Sequence, residues 1–182
     1  WQYSSTGKIN GISGNVDMDF WYVGIPELRQ EGEQYYFYLN GKKQDQYTGL
    51  TKCDGVWYYI KEGTLQADYE GLVQQNNGIW YYVKNGKVDF SKTGLVQQND
   101  GNWYYVKEGK KQSGFSGLVK NNDGIWYYVE SGKVRFDKTD LVKHTNGAWY
   151  YVKDGKMQAQ YEGLVRKTNG DWYYVKDGKV DS

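Results

Sequence analysis

The chain is 182 residues long and almost neutral, with 23 Lys and Arg against 22 Asp and Glu, and 20 Tyr and 8 Trp supply much of an apolar fraction of only 38%. That balance argues against nucleic acid as the main partner, because phosphate binding needs a basic excess on one face. No run of about 18 apolar residues is present to cross a membrane as a helix, and the lone Cys53 and lone His144 exclude an internal disulfide and a Cys/His zinc set.

Residues 1–46 carry a worn form of a pattern that later becomes regular. Gly11-Ile12 precedes Phe20-Trp21-Tyr22-Val23 by the offsets that separate Gly94-Leu95 from Trp103-Tyr104-Tyr105-Val106. The stretch from Trp1 to Lys8 aligns with Trp103 to Lys110, and the chain stops after Ser182, shortly before the next expected Gly-Leu. A portion of a longer array is therefore expected, and the absence of a visible signal peptide decides nothing. The segment Gly24 to Gly32 holds the only proline, Pro26, interrupts the register and is expected to be a loop or a short helical turn. Tyr35 to Leu39 restores an aromatic strand, with Asn40-Gly41 as its turn. The acid pairs Asp17/Asp19 and Glu31/Glu33 offer oxygen ligands for calcium or groups for acid/base work, with nothing beyond their presence to support either role.

From residue 47 onward the repeats are regular, and the chain divides on this basis into 1–46, degenerate, and 47–182, regular. Trp-Tyr-Tyr stands at 57, 80, 103, 126, 149 and 172, a constant spacing of 23 residues. A fixed period in that range marks a stack of identical small units. Within one unit, Leu72-Val73-Gln74 reads as a short strand, Asn77-Gly78 as a turn, and Ile79 to Lys84 as the returning strand rich in aromatic and β-branched residues. The turn dipeptides Asp54-Gly55, Asn77-Gly78, Asp100-Gly101, Asp123-Gly124, Asn146-Gly147 and Asn169-Gly170 tolerate positive φ at both positions, so type I′ hairpin turns are expected. One residue is missing before Trp57. A second glycine, at 63, 86, 109, 132, 155 and 178, ends each strand ahead of a connector. The fold expected is all-β, a β-solenoid of tandem hairpins.

Side chains alternate along a strand, so Tyr81 and Val83 share one face while Trp80, Tyr82 and Lys84 share the other. The Val/Ile position is apolar and the Lys84 position charged in all six regular units. The first Tyr and the Val are therefore expected in the core. The Trp and second Tyr are expected to line a more open groove, which makes Trp57, Tyr59, Trp80, Tyr82, Trp103, Tyr105, Trp126, Tyr128, Trp149, Tyr151, Trp172 and Tyr174 the candidate ligand-binding residues. The competing account is that these rings only stack on neighbouring hairpins. Ahead of each Gly-Leu, the connector positions alternate in size as Ala67/Tyr69, Phe90/Lys92, Ser113/Phe115, Phe136/Lys138 and Ala159/Tyr161. Neighbours packed at interior density need such complementary volumes, so a structural repeat of two hairpins, 46 residues long, is expected.

The pattern Gly-Leu-Val, five residues, then Gly-x-Trp-Tyr-Tyr-Val-x-x-Gly-Lys resembles the cell-wall-binding, or choline-binding, repeat superfamily of Gram-positive surface proteins, which includes streptococcal glucan-binding repeats and receptor-binding repeats of clostridial toxins. The resemblance spans the whole chain, loosely up to 46. It implies hairpins rotated stepwise about a common axis, ligand sites in the grooves between them, and a secreted or wall-associated location. Choline-binding members usually carry Gly-Trp where this chain has Gly49-Leu50, Gly71-Leu72, Gly94-Leu95, Gly117-Leu118, Asp140-Leu141 and Gly163-Leu164. A quaternary ammonium needs several ring faces, so the departure favours a sugar. Gln74, Gln75, Asn76, Gln97, Gln98, Asn99, Asn121 and Asn122 provide groups for sugar hydroxyls, or are simply solvated turn residues. No cofactor and no catalysis are expected: Cys53 has no histidine near it in sequence, and His144 stands where Gln75, Gln98 and Asn121 stand in other units. The expected partner is a glycan or cell-wall polymer. A host glycoprotein bound through the aromatic surface, choline-type wall anchoring and a passive spacer are the other readings.

Overall fold

The computed structural model describes residues 24–181, and among these it contains strands and turns and no helix. The worn repeat at Gly11–Val23 and the pair Asp17/Asp19 lie outside the described residues. The rest forms seven successive units of three strands each, the β-solenoid expected from the period. The first unit comprises β1 (Pro26–Glu31), β2 (Gln34–Leu39) and β3 (Lys42–Lys43), and the second β4 (Gly49–Cys53), β5 (Val56–Lys61) and β6 (Thr64–Leu65). The third, with β7 (Gly71–Gln74), β8 (Trp80–Lys84) and β9 (Lys87–Val88), is the form that the remaining four repeat.

The expectation of a loop or helical turn before residue 32 is corrected by β1. It pairs antiparallel with β2 from Pro26↔Leu39 to Glu31↔Gln34. Pro26 is the first residue of a strand whose only partner among the described residues is β2, a place where a missing N–H breaks no ladder. The run Glu27 to Glu31 lacks aromatic residues, so its strand character comes from pairing rather than propensity.

Turn chemistry is distributed differently from the sequence expectation. Asp54 and Gly55 have φ of 49° and 84°, as a two-residue type I′ turn demands. At the other five Asn-Gly or Asp-Gly sites only the glycine is positive; Gly78, for example, has φ of 82°. There the loop is one residue longer. The Gly78 N–H donates to the Gln75 carbonyl at 2.8 Å, the Gln75 N–H donates to the Ile79 carbonyl at 2.9 Å, and the Asn77 Oδ1 accepts from the Ile79 N–H at 3.0 Å. This is a type I turn closed by a left-handed glycine. The residue missing before Trp57 is the difference between the two loops. The type I′ geometry recurs instead at the second glycine, as at Asn85 and Gly86 with φ of 50° and 70°, which folds β9 back onto β8 through Val83↔Val88 and Lys84↔Lys87.

That second glycine also joins the units. The Tyr59 N–H donates to the Gly86 carbonyl at 2.8 Å, and the Gly86 N–H donates to the Tyr69 carbonyl at 3.2 Å, so the turn of one unit is wedged between the central strand and the connector of the unit before. Tyr58↔Lys87 is the single strand pair formed across the step. Equivalent links run from Phe37 to Gly63 and on to Tyr151 with Gly178. A Cβ built on Gly109 would lie 2.6 Å from the Asp89 carbonyl oxygen, so the wedge admits only glycine.

Both faces of every interior hairpin are packed, which corrects the expectation of one core face and one open face. Leu50, Trp57 and Tyr59 of one unit meet Val73, Tyr81, Val83 and Val88 of the next. Leu141, Trp149 and Tyr151 meet Val165, Tyr173, Val175 and Val180 in the same way. The apolar interior is thus a series of layers between hairpins, each fed by the Leu/Trp/second-Tyr face of one unit and the Val/first-Tyr/Val face of its successor. The strand valines Val83, Val106, Val129, Val152 and Val175 are fully buried in these layers.

Candidate functional site

The tryptophans at 57, 80, 103, 126 and 149 are half-buried at the mouths of the layers. Each was expected to share its groove with the second Tyr of its own unit. Instead Tyr82 is only 3% exposed, and Tyr59, Tyr105 and Tyr151 are covered by Tyr69, Phe115 and Tyr161, with ring centroids 4.7 Å apart in all three pairs. Tyr128 is half-buried, its hydroxyl donating to Glu130 at 3.4 Å. Burial and the hydroxyl bond to Glu70 push the Tyr82 phenol far above its ordinary range. At Tyr59, Tyr82, Tyr105 and Tyr151 the second Tyr is therefore a packing residue. The connector, a C-terminal neighbour in sequence, supplies its lid, and strand parity alone carries no information about that.

What lines a groove with the indole is the first Tyr of the following unit. Leu50, Trp57, Tyr81, Val88 and Phe90 enclose an apolar cavity of about 160 Å³ whose rim carries Gln75, Asn77 and Lys110. Leu95, Trp103, Tyr127, Val134 and Phe136 enclose a second, of about 120 Å³, with Asn121 at its rim. Phe90 and Phe136 are 48% and 47% exposed and stand edge-on to Tyr81 and Tyr127 at 6.2 and 5.9 Å. Each cavity thus has three aromatic rings and no carboxylate in its lining. Neither phenylalanine nor first tyrosine was among the sequence candidates. The alternation of connector volumes was the signal in the sequence that could have found Phe90 and Phe136.

The grooves of Trp80, Trp126 and Trp149 are built otherwise. Gln98 is turned inward, its Oε1 accepting from the Leu72 N–H at 2.7 Å and its Nε2 donating to the Leu72 carbonyl at 3.1 Å. Lys111 Nζ lies 4.0 Å from the Tyr104 ring centroid and 5.4 Å from that of Trp80. In the groove of Trp126, His144 takes the place of Gln98: its Nδ1 accepts from the Leu118 N–H at 3.0 Å, and the imidazole stands edge-on to Trp126 at 5.9 Å and to Tyr150 at 6.1 Å. Burial lowers the His144 pKa from its ordinary value. In the groove of Trp149, Lys167 Nζ sits 3.6 Å from that indole. Trp172 and Tyr174 are exposed, at 63% and 42%, because no further hairpin packs on them among the described residues.

Other polar candidates have structural partners. Glu31 pairs with Lys43 at 2.7 Å and accepts from the Tyr38 hydroxyl, which together hold its carboxyl low. Cys53 is buried beside Phe37 and Ile60, and burial pushes its thiol up. Among the described residues no group of three or more His, Cys, Asp or Glu is placed to hold a metal ion, and no helix is long and apolar enough to cross a membrane.

The fold and these grooves define a tandem-hairpin β-solenoid with aromatic clefts between its units. The chain belongs to the choline-binding repeat family, whose description matches residues 46–66, 68–89, 91–112, 114–135, 137–158 and 160–181. Among solved structures it is similar to CbpJ from Streptococcus pneumoniae TIGR4, at 25% identity over 85% of this chain and 51% of that one, with a TM-score of 0.39. It is also similar to the modular Cpl-1 endolysin complexed with a peptidoglycan analogue (23% identity, 81% of this chain, 37% of that one, TM-score 0.35) and to an alternansucrase in complex with isomaltotriose (19%, 85%, 12%, 0.35). The chain spans about half or less of the length of each of these proteins. Comparison with curated proteins gives no match.

Proposed function

We propose that this array is an extracellular, non-catalytic module that holds a bacterial cell-wall polymer through choline groups seated in the grooves of Trp57 and Trp103. The observation that carries the reading is the ring count. The sequence departs from the family at Leu50 and Leu95, which removes one aromatic wall, but Phe90 and Phe136 enter from the connectors and supply a third ring face to each cavity. A quaternary ammonium gains from several faces at short range, most of all where water is excluded. The cavity volumes suit a small headgroup rather than a long ligand. The same proposal keeps the division of the chain into a degenerate part, 1–46, and a regular part, 47–182.

A glycan is the second reading, favoured by the amides of Gln75, Asn77 and Asn121 at the cavity rims and by the lysine beside the first, since a sugar needs one or two rings to stack on and polar groups for its hydroxyls. Titration with choline chloride, isomaltotriose and purified wall polymer, followed by tryptophan fluorescence, separates the two. Choline is expected to quench or shift the emission and to compete with wall polymer. A response to isomaltotriose alone makes the glycan reading correct, and no response to any of the three overturns both. Trp57→Ala and Trp103→Ala are each expected to weaken choline binding at their own groove by roughly 1–2 kcal/mol, the scale of one partly desolvated cation–π contact.

A further inference from the structure

We infer that the groove between Trp80 and Tyr104 is filled by the chain's own Lys111 ammonium, so that it does not take an external cation until that lysine is removed. The inference rests on the groove reading above, and adds which grooves are available. Three observations converge on it. First, position 111 is the place of Val88 in the groove before and of Val134 in the groove after, and at both valines the structure leaves an apolar cavity lined by the indole. Second, the Lys111 ammonium lies 4.0 Å from one ring centroid and 5.4 Å from the other, within cation–π reach of both faces that would hold a ligand cation. Its side chain is half-buried there, and burial lowers its pKa, as desolvation between rings requires. Third, Gln98 seals the same groove by pinning both backbone groups of Leu72, whereas its counterparts Gln75 and Asn121 line the cavities of the neighbouring grooves.

The Trp149 groove uses the device again from a different sequence position. Lys167 comes from the hairpin loop, not the third strand, yet its ammonium reaches 3.6 Å from Trp149 and 6.0 Å from Tyr173. Two unrelated positions deliver an ammonium to equivalent ring pairs.

The test uses the whole 182-residue chain and nuclear magnetic resonance. In the unaltered protein, the Lys111 side-chain methylene protons are expected upfield of those of the exposed Lys107 through the ring currents of Trp80 and Tyr104, and absence of that displacement overturns the inference without reference to any ligand. On titration with choline chloride, the indole N–H signals of Trp57 and Trp103 are expected to move and that of Trp80 to stay. In Lys111→Val the Trp80 signal is expected to join them, raising the number of responding grooves by one. A Trp80 response in the unaltered protein with the same midpoint as Trp57, or no Trp80 response in a folded Lys111→Val variant whose Trp57 still responds, overturns it. If no indole responds in either protein, the choline reading fails while the methylene displacement still decides whether the groove is self-filled.

Discussion

His144 shows how one residue sets the condition under which a layer holds. Its Nδ1 accepts the Leu118 N–H and so must be unprotonated, and burial has lowered its pKa below the ordinary value of 6.5. The folded protein therefore binds this proton less readily than the unfolded chain. The stability that His144 contributes is complete above the unfolded value and is lost as pH falls below it. The expected outcome is a lower melting temperature at pH 5.5 than at pH 8, with the difference reduced in His144→Gln, because Gln98 makes the equivalent bond without titrating. Equal pH dependence in both proteins contradicts this role. Asp140 differs in kind. Burial works against its charge, but the Thr168 hydroxyl and the amides of Leu141 and Thr168 outweigh this and hold its pKa below the ordinary value, so its contribution fades only in stronger acid.

The element that decides the solenoid is the two-residue turn after each aromatic strand. Gly109 has φ of 70° and sits against the Asp89 carbonyl, whereas Gly101, in the hairpin loop, has φ of 79° with nothing near its missing Cβ. Gly101→Ala is expected to cost about 1–2 kcal/mol, the left-handed penalty alone. Gly109→Ala adds overpacking of about 1–3 kcal/mol and loosens the step between two units, since the same glycine accepts from Tyr82 and donates to Lys92. Urea unfolding of the two variants measures the difference, and equal midpoints would show that the close approach relaxes freely. The loops carry a corresponding expectation: inserting one residue into Asp54-Gly55 is tolerated, because the other units already use the longer loop.

For the molecule as a whole, near-neutral charge and apolar grooves mean that the proposed binding rests on stacking rather than long-range attraction. Retention on wall polymer is expected to change little between low and moderate salt, unlike that of a protein held by charge, whose affinity falls steeply. On the proposed reading, two grooves on one chain are expected to make binding to a polymer tighter than to free choline through effective concentration. A double variant, Trp57→Ala with Trp103→Ala, is accordingly expected to lose polymer retention by far more than either change alone. A purely additive loss in surface-binding assays would mean that the grooves cannot engage one polymer together.

The class of fold, the period, the strands around each Trp-Tyr-Tyr and the positions of the glycines were legible in the order of residues alone, because each of these follows from local rules: alternation, turn chemistry and spacing. That order also carried the 46-residue alternation at Phe90 and Phe136, since volume complementarity is written in side-chain size. Which rings line the clefts follows only from the tertiary structure. Strand parity divides a hairpin into two faces but does not say that both will be covered, and it assigned Tyr82 to a groove that belongs to Tyr104 and Lys111. A groove in a solenoid is made by residues one repeat apart, so which side chains meet between the rings depends on how successive units pack, which no single repeat encodes.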